Sequence, residues 1–175
     1  RGELELVRLD DLLADGRVRL VGVVHGSNVL GTVNPVERIA SAAHRHGALV
    51  LVDAAQTVPH RAIDVRTLGA DFLAFSGHKA YGPTGIGVLW AREALLESMP
   101  PFLGGGDMIK EVKLRSFRPN VIPHKLEAGT PAIAEAVGFG TAVEYLTKIG
   151  MEKITAHEHE ITAYALERLE EIPGV

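Results

Sequence analysis

The segment Ser76-Gly77-His78-Lys79-Ala80-Tyr81-Gly82-Pro83-Thr84-Gly85-Ile86-Gly87 carries the residue best suited to covalent chemistry. A lysine just past a buried strand, hemmed in by small residues and a proline turn, is expected in a partly desolvated site. There its ammonium is destabilised and its free amine can form a Schiff base. The alternative is a surface lysine in a glycine-rich turn. A nucleotide P-loop is excluded, because its lysine follows the glycines and precedes a Ser or Thr. Asp53 closes a β-branched run, where a buried carboxylate needs a cationic or donor partner. A pyridinium nitrogen is one such partner: by holding that proton, the carboxylate keeps a pyridoxal ring able to take electrons from a substrate α-carbon. A helix cap or a turn aspartate is the plainer alternative. Gln56 can donate to a phenolate oxygen, or be a solvated turn residue. Ser76 and His78 can donate to a phosphate, or His78 can be a structural histidine.

These residues need elements that bring them together. Residues 17–25 (RVRLVGVVH) form a nearly continuous apolar run, expected of a strand buried on both faces. It ends in Gly26, Ser27 and Asn28. Asn34 and Pro35 read as an N-cap and first-turn proline, Val36, Ile39, Ala40 and Ala43 follow at helical spacing, and Gly47 closes the helix. Residues 48–53 and 71–76 are two further strands, so the pattern predicts a parallel α/β sheet. Ligands of open sheets sit beyond the carboxyl ends of the strands, where Asn28, Asp53, Gln56 and residues 76–79 all fall. Residues 86–91 follow a turn too short for a helical crossover and are expected to run antiparallel. A short helix over 94–98 stops at Pro100 and Pro101, and 102–128 reads as a long functional loop. Thr130 and Pro131 open a helix to about Ile149, and another runs from Met151 to about Ile172.

Composition narrows the function. With 18 Lys and Arg against 22 Asp and Glu, the formal charge is −4, which argues against a nucleic-acid platform. The 175 residues contain no cysteine, which excludes disulfides, thiolate metal sites and any thiol nucleophile from these residues. No apolar run approaches the ~20 residues of a membrane span, and the opening residues lack a signal core, so no membrane role and a cytoplasmic location are expected. His157 and His159, like His44 and His46, stand two apart on helices and do not share a face, so both pairs read as solvated helix faces rather than metal sites. Asp10 and Asp11 read as an N-terminal helix or turn feature.

The stretches HGSNVLGTVNP, LVDAAQTVPHRAIDV, DFLAFSGHKAYGPTGIGVLW, PPFLGGGDMI and LEAGTP, in this order, resemble the Suf-type (group II) cysteine desulfurases, which are class V aminotransferase-like enzymes. The resemblance runs through essentially the whole chain. It implies an incomplete α/β fold of the type I pyridoxal-phosphate transferases (aspartate aminotransferase-like), a mainly parallel sheet with flanking helices. It makes pyridoxal 5'-phosphate the cofactor, Lys79 the Schiff-base lysine and Asp53 the partner of the ring nitrogen. It also assigns Gln56 to the ring hydroxyl oxygen, Ser76 and His78 to the phosphate, and Asn28 to the cofactor or substrate near the ring. Gly129 and Thr130 are expected against the phosphate of the neighbouring subunit of a homodimer. A helix opened by Thr130 would suit that role through its free N–H groups, although simple capping would look the same.

The implied reaction converts L-cysteine to L-alanine and an enzyme-bound persulfide, with Lys79 shuttling protons. The sulfur then passes to a Suf-type acceptor protein for iron–sulfur cluster assembly. A selenocysteine lyase acting on selenocysteine, another class V relative, and a non-catalytic remnant that only dimerises or binds a partner are the alternatives. The resemblance also implies a protein more than twice this length, of which this chain is the middle portion. Residues 1–128 would belong to the large cofactor domain, including the loop at 102–128, and 129–175 would lead into a truncated small domain. The ring-stacking histidine, the arginine for the substrate carboxylate and the persulfide cysteine would lie outside this chain, so the piece alone is expected to be inactive.

Overall fold

The structure is a computed structural model that describes residues 2–174. The expected strands form as β1 (Leu20–Val24), β2 (Leu49–Asp53) and β3 (Phe72–Ser76), parallel to one another, with β4 (Gly87–Ala91) antiparallel beside β3. The sheet order is β1-β2-β3-β4. Helix α2 (Val36–Arg45) is the first crossover, and its Val36, Ile39, Ala40 and Ala43 are all buried. Gly47, at φ +73°, turns the chain into β2. Val50 and Val52 lie fully buried in the main core, with Leu73 and with Val21 and Val23 packed against it. Register pairs Val21 with Val50 and Val23 with Val52, so one face of the sheet is continuous and apolar.

The opposite face corrects the expectation for residues 17–25. Leu20 and Val24 point away from the core and are 51% and 44% exposed, so β1 is buried on one face only. An apolar run signals that both faces call for cover, and the described residues supply cover to one. Asn34 is not a side-chain N-cap: Pro35 occupies the cap position without a capping bond, and Asn34 Nδ2 donates to the Val24 carbonyl at 2.7 Å. The amide thereby ties the start of α2 to the end of β1.

Between β2 and β3 the chain forms α3 (Val65–Leu68), a single turn unforeseen in the sequence. Asp64 caps it by accepting from the Arg66 N–H, and Gly69 ends it in the left-handed region. The signal was present as Asp-x-x-x-x-Gly, but one helical turn carries too little periodicity to stand out. Helix α1 (Leu9–Leu13) buries Leu13, and Asp10 meets Arg45 Nη2 at 2.9 Å and His46 Nε2 at 3.2 Å. Those partners, Arg45 foremost, hold the Asp10 carboxyl below its ordinary pKa.

The amino ends of the strands are joined through Asp71, whose side chain is only 5% exposed. Its Oδ2 accepts from the Val50 N–H at 2.8 Å and His44 Nε2 at 2.7 Å, and its Oδ1 meets Arg92 Nε at 3.0 Å. One carboxylate thus links α2, β2 and the end of β4. His44 and His46 are therefore not merely solvated, since each holds a carboxylate.

Residues 102–128 are more ordered than a loop. After α4 (Glu93–Ser98), strands β5 (Ile109–Val112) and β6 (Phe117–Pro119) form a separate antiparallel ribbon. Its base is fixed by the fully buried Met108, by Asn120 Nδ2 donating to the Asp107 carbonyl, and by buried Lys125, whose Nζ donates to the Glu97 carbonyl at 2.8 Å. Glycines and charges mask a two-stranded ribbon because it has no buried face to impose alternation. Helix α5 (Ile133–Ile149) starts three residues after Thr130, with Ala132 in the cap position, so Thr130 and Pro131 lead up to the helix rather than opening it. Helix α6 (Met151–Glu170) follows directly. No helix among the described residues is long and apolar enough to cross a membrane.

Candidate active site

Parallel strands deliver their carboxyl ends to one edge, and the residues that follow them build the site. Val24 leads through buried His25 and Gly26 into Ser27 and Asn28, while Asp53 is the last residue of β2. A turn over residues 54–61 carries Gln56. Beyond β3, a 3-10 turn, Gly77–Ala80, carries Lys79. Asn28, Asp53, Gln56 and Lys79 line a single cavity of about 390 Å³, together with Gly26, Ser27 and Asn34. The cavity is therefore lined by an amine, a carboxylate and three carboxamides, of which Asn34 is already bonded to the Val24 carbonyl.

The structure differs from the expected burial at two of these residues. Lys79, on the 3-10 turn just past β3, is exposed among the described residues rather than partly desolvated. Asp53 is likewise exposed at the strand end, so no buried charge obliges it to find a partner. Its Oδ1 accepts from the Ala55 N–H at 3.0 Å, a turn-aspartate bond that fixes the carboxylate while leaving Oδ2 available to a ligand. The backbone of Asp53 is held by the His25 N–H, which donates to its carbonyl at 2.8 Å.

Ser76 and His78 do not line this cavity. Ser76 is half-buried at the end of β3 opposite Gly87, and His78 is exposed on the lysine turn. Gly129 and Thr130 lie outside it as well. The Gly129 N–H donates to the Gly106 carbonyl at 2.9 Å, which places this pair beside the 104–106 glycines.

The lysine turn is shaped by close approach. A Cβ on Gly77 would lie 2.8 Å from Ile86 Cγ2 and 3.0 Å from the Ile86 carbonyl oxygen. One on Gly82 would lie 2.5 Å from the Phe139 ring and 3.0 Å from the Gly77 oxygen. The Gly77 N–H donates to Ile86 and the Gly82 N–H to Gly77. Tyr81 between them adopts φ +61°, a conformation uncommon for a side chain of that size. Such a conformation persists where surrounding contacts over-determine the backbone, as the Gly77 and Gly82 bonds on either side do here.

Sequence reasoning missed the support beneath the site. His25 is 6% exposed, and its Nδ1 bonds Thr57 Oγ1 at 3.0 Å while that hydroxyl donates to the Ala54 carbonyl. Burial first, and the Arg61 charge second, hold the His25 pKa below its ordinary value, with Glu37 opposing. A histidine kept neutral in the folded state takes up a proton more readily when unfolded. Its contribution to stability is therefore complete above its ordinary pKa of about 6.5 and is lost as pH falls through the lower folded value. The urea midpoint of the wild-type protein should drop between pH 7 and pH 5 more steeply than that of His25→Gln. Parallel slopes would contradict this.

A family model described as aminotransferase class-V matches residues 1–175. A probable cysteine desulfurase of Streptomyces coelicolor is 54% identical over 174 residues, covering 99% of this chain and 41% of that protein. A cysteine desulfurase of Haloferax volcanii is 48% identical over 174 residues, again covering 99% of this chain and 41% of the relative. Among solved structures, the apo cysteine desulfurase of Thermococcus onnurineus superposes with a TM-score of 0.91 at 40% identity, covering 97% of this chain and 42% of that one. The Escherichia coli cysteine desulfurase CsdA gives 0.88 at 41% identity, covering 94% and 42%. The expected α/β fold is therefore the one these enzymes adopt, and the chain spans about two-fifths of their length.

Proposed function

Because the chain belongs to the aminotransferase class-V family, matched along its whole length, we propose that it is the coenzyme-lysine portion of a pyridoxal-phosphate-dependent cysteine desulfurase. The observation that carries this reading is the convergence of Lys79, Asp53, Gln56 and Asn28 on one cavity at the carboxyl edge of the sheet. An amine for the aldehyde, a carboxylate for the ring nitrogen and a carboxamide for the ring hydroxyl form the donor set that pyridoxal phosphate requires. When bound, that coenzyme supplies a sink for the electrons of the substrate α-carbon. Lys79 would hold the coenzyme and then move the proton at the α-carbon of L-cysteine. Asp53, steadied by the Ala55 N–H, would keep the ring nitrogen protonated, while Gln56 and Asn28 orient the ring. Ser76 and His78 would take the phosphate with Gly129 and Thr130 of a second subunit.

A homodimer is part of the reading, and α5 leaves apolar surface that a second subunit or the rest of the longer protein would cover. This 17-residue helix buries only Ala142 and Leu146, while Ile133 and Val137 are more than 60% exposed. A helix apolar around its circumference calls for cover on more than one side. Residues 1–128 would belong to the large cofactor domain, and 129–175 would lead into a second, smaller one. The chain contains no cysteine, so the thiol that accepts sulfur would come from another part of the longer protein. Transfer to a Suf-type acceptor for iron–sulfur cluster assembly, in the cytoplasm, completes the proposal.

The test is to supply the full-length protein, loaded with pyridoxal phosphate, with L-cysteine or L-selenocysteine in the presence of a thiol reductant. We expect alanine and sulfide in equal amounts from cysteine. Turnover of selenocysteine alone would identify a lyase, and turnover of neither would overturn the desulfurase reading.

A further inference from the structure

The turn over residues 54–61 is gripped from two sides. Its internal bonds run from the N–H groups of Thr57 and Val58 to the Ala54 carbonyl, and from those of His60 and Arg61 to the Thr57 carbonyl. A segment bonded in this way moves as one body. On the sheet side, Thr57 is fastened to buried His25. On the other side stands α6, close to 100 residues further along the chain. Thr155 Oγ1 donates to the His60 carbonyl at 2.7 Å, and Glu158 Oε1 meets His60 Nδ1 at 2.7 Å.

Helix α6 has no fully buried residue, though Met151 and Ile154 are half-buried, and the side-chain bonds that tie it to this turn are the two polar ones at His60. Beside them lies a cleft of about 550 Å³ with Thr155, Glu158 and His159 on one wall and Ser27, Asn28 and Gln56 on the other. The same Ser27, Asn28 and Gln56 line the lysine cavity, so the two spaces adjoin. Gln56 stands at the boundary between them.

We propose that Thr155, Glu158 and His60 form a clasp through which α6 positions Gln56 in the lysine cavity. None of the three lines the lysine cavity, so they are positioning residues. The inference rests on the reading of Gln56 as a ring contact. It makes α6 part of the site's geometry, because displacement of the helix at His60 is passed through the bonded turn to the carboxamide.

The experiment uses the full-length protein and measures the dissociation constant for pyridoxal phosphate in wild type, Thr155→Val/Glu158→Ala, Thr155→Ser, Gln56→Ala and the combination of clasp and Gln56 changes. The clasp double variant should bind the coenzyme about 5- to 10-fold more weakly, while the conservative Thr155→Ser stays within about 2-fold of wild type. Amide exchange at residues 54–60 should accelerate in the clasp variant without coenzyme, with β1 to β3 unchanged. In the Gln56→Ala background the clasp changes should have no further effect on binding. A full clasp effect in that background, or unaltered exchange in the turn, would overturn the proposal. Wild-type protein that forms no coenzyme-dependent visible band would instead overturn the reading beneath it.

Discussion

Lys79→Ala should remove the visible absorbance that the full-length protein gains with pyridoxal phosphate, and borohydride treatment should leave no coenzyme mass on the peptide spanning residues 76–87. Desulfuration should fall by at least about 10³-fold, because one amine both anchors the coenzyme and moves the substrate proton. The substitution deletes an exposed side chain from a turn held by its backbone, through Gly77, Ile86 and Gly82. Folding should therefore be unaffected, and the urea midpoint should match wild type within error. Phosphate and ring contacts would remain, so some noncovalent binding is expected. A retained visible band, with coenzyme reduced onto another lysine, would remove Lys79 from the chemistry.

The largest effect on stability is expected at the other end of the sheet, from Asp71→Ala. The substitution leaves the Val50 N–H, His44 and Arg92 without the acceptor they share. Leaving the buried Val50 N–H without an acceptor costs roughly 1–3 kcal/mol, and the partly exposed His44 and Arg92 add less because water reaches them. Asp71→Asn keeps the shape and one acceptor oxygen, and should lose less. Chemical denaturation separates the two, because the midpoint should fall in the order wild type, Asn, Ala while the slope is unchanged. Equal midpoints for Ala and wild type would mean that the three donors find water without penalty. Asp71 stands at the amino ends of the strands, away from the cavity. The variant that still folds should therefore keep its affinity for the coenzyme.

Much of this fold was legible because buried parallel strands and a helix with one apolar face write strong periodic signals. Residues 48–53 and the 36, 39, 40, 43 spacing were recognisable for that reason, and β4 was placed antiparallel by loop length alone. Failures came where local chemistry decides. Asn34 bonds a strand carbonyl in preference to its own helix, which no spacing reveals. The ribbon at 109–119 lacks a buried face, and α3 is one turn long. At the site, residue types single out Lys79 and Asp53, which line one cavity, yet both are exposed, so burial is not what marks them. His25, Thr57 and the α6 contacts escaped notice because their value lies in tertiary hydrogen bonds between segments far apart in sequence.

The register of β2 has an evolutionary corollary. Val50 and Val52 face the helix-covered core while Asp53, one step on, faces the other way, so parity alone decides which side of the sheet receives the carboxylate. Inserting or deleting a single residue between Leu49 and Asp53 would turn the acid inward and push valines out, whereas length changes at the ribbon tip, around Leu114, would leave that parity untouched. Natural length variation among related chains is therefore expected at the tip and forbidden in the strand.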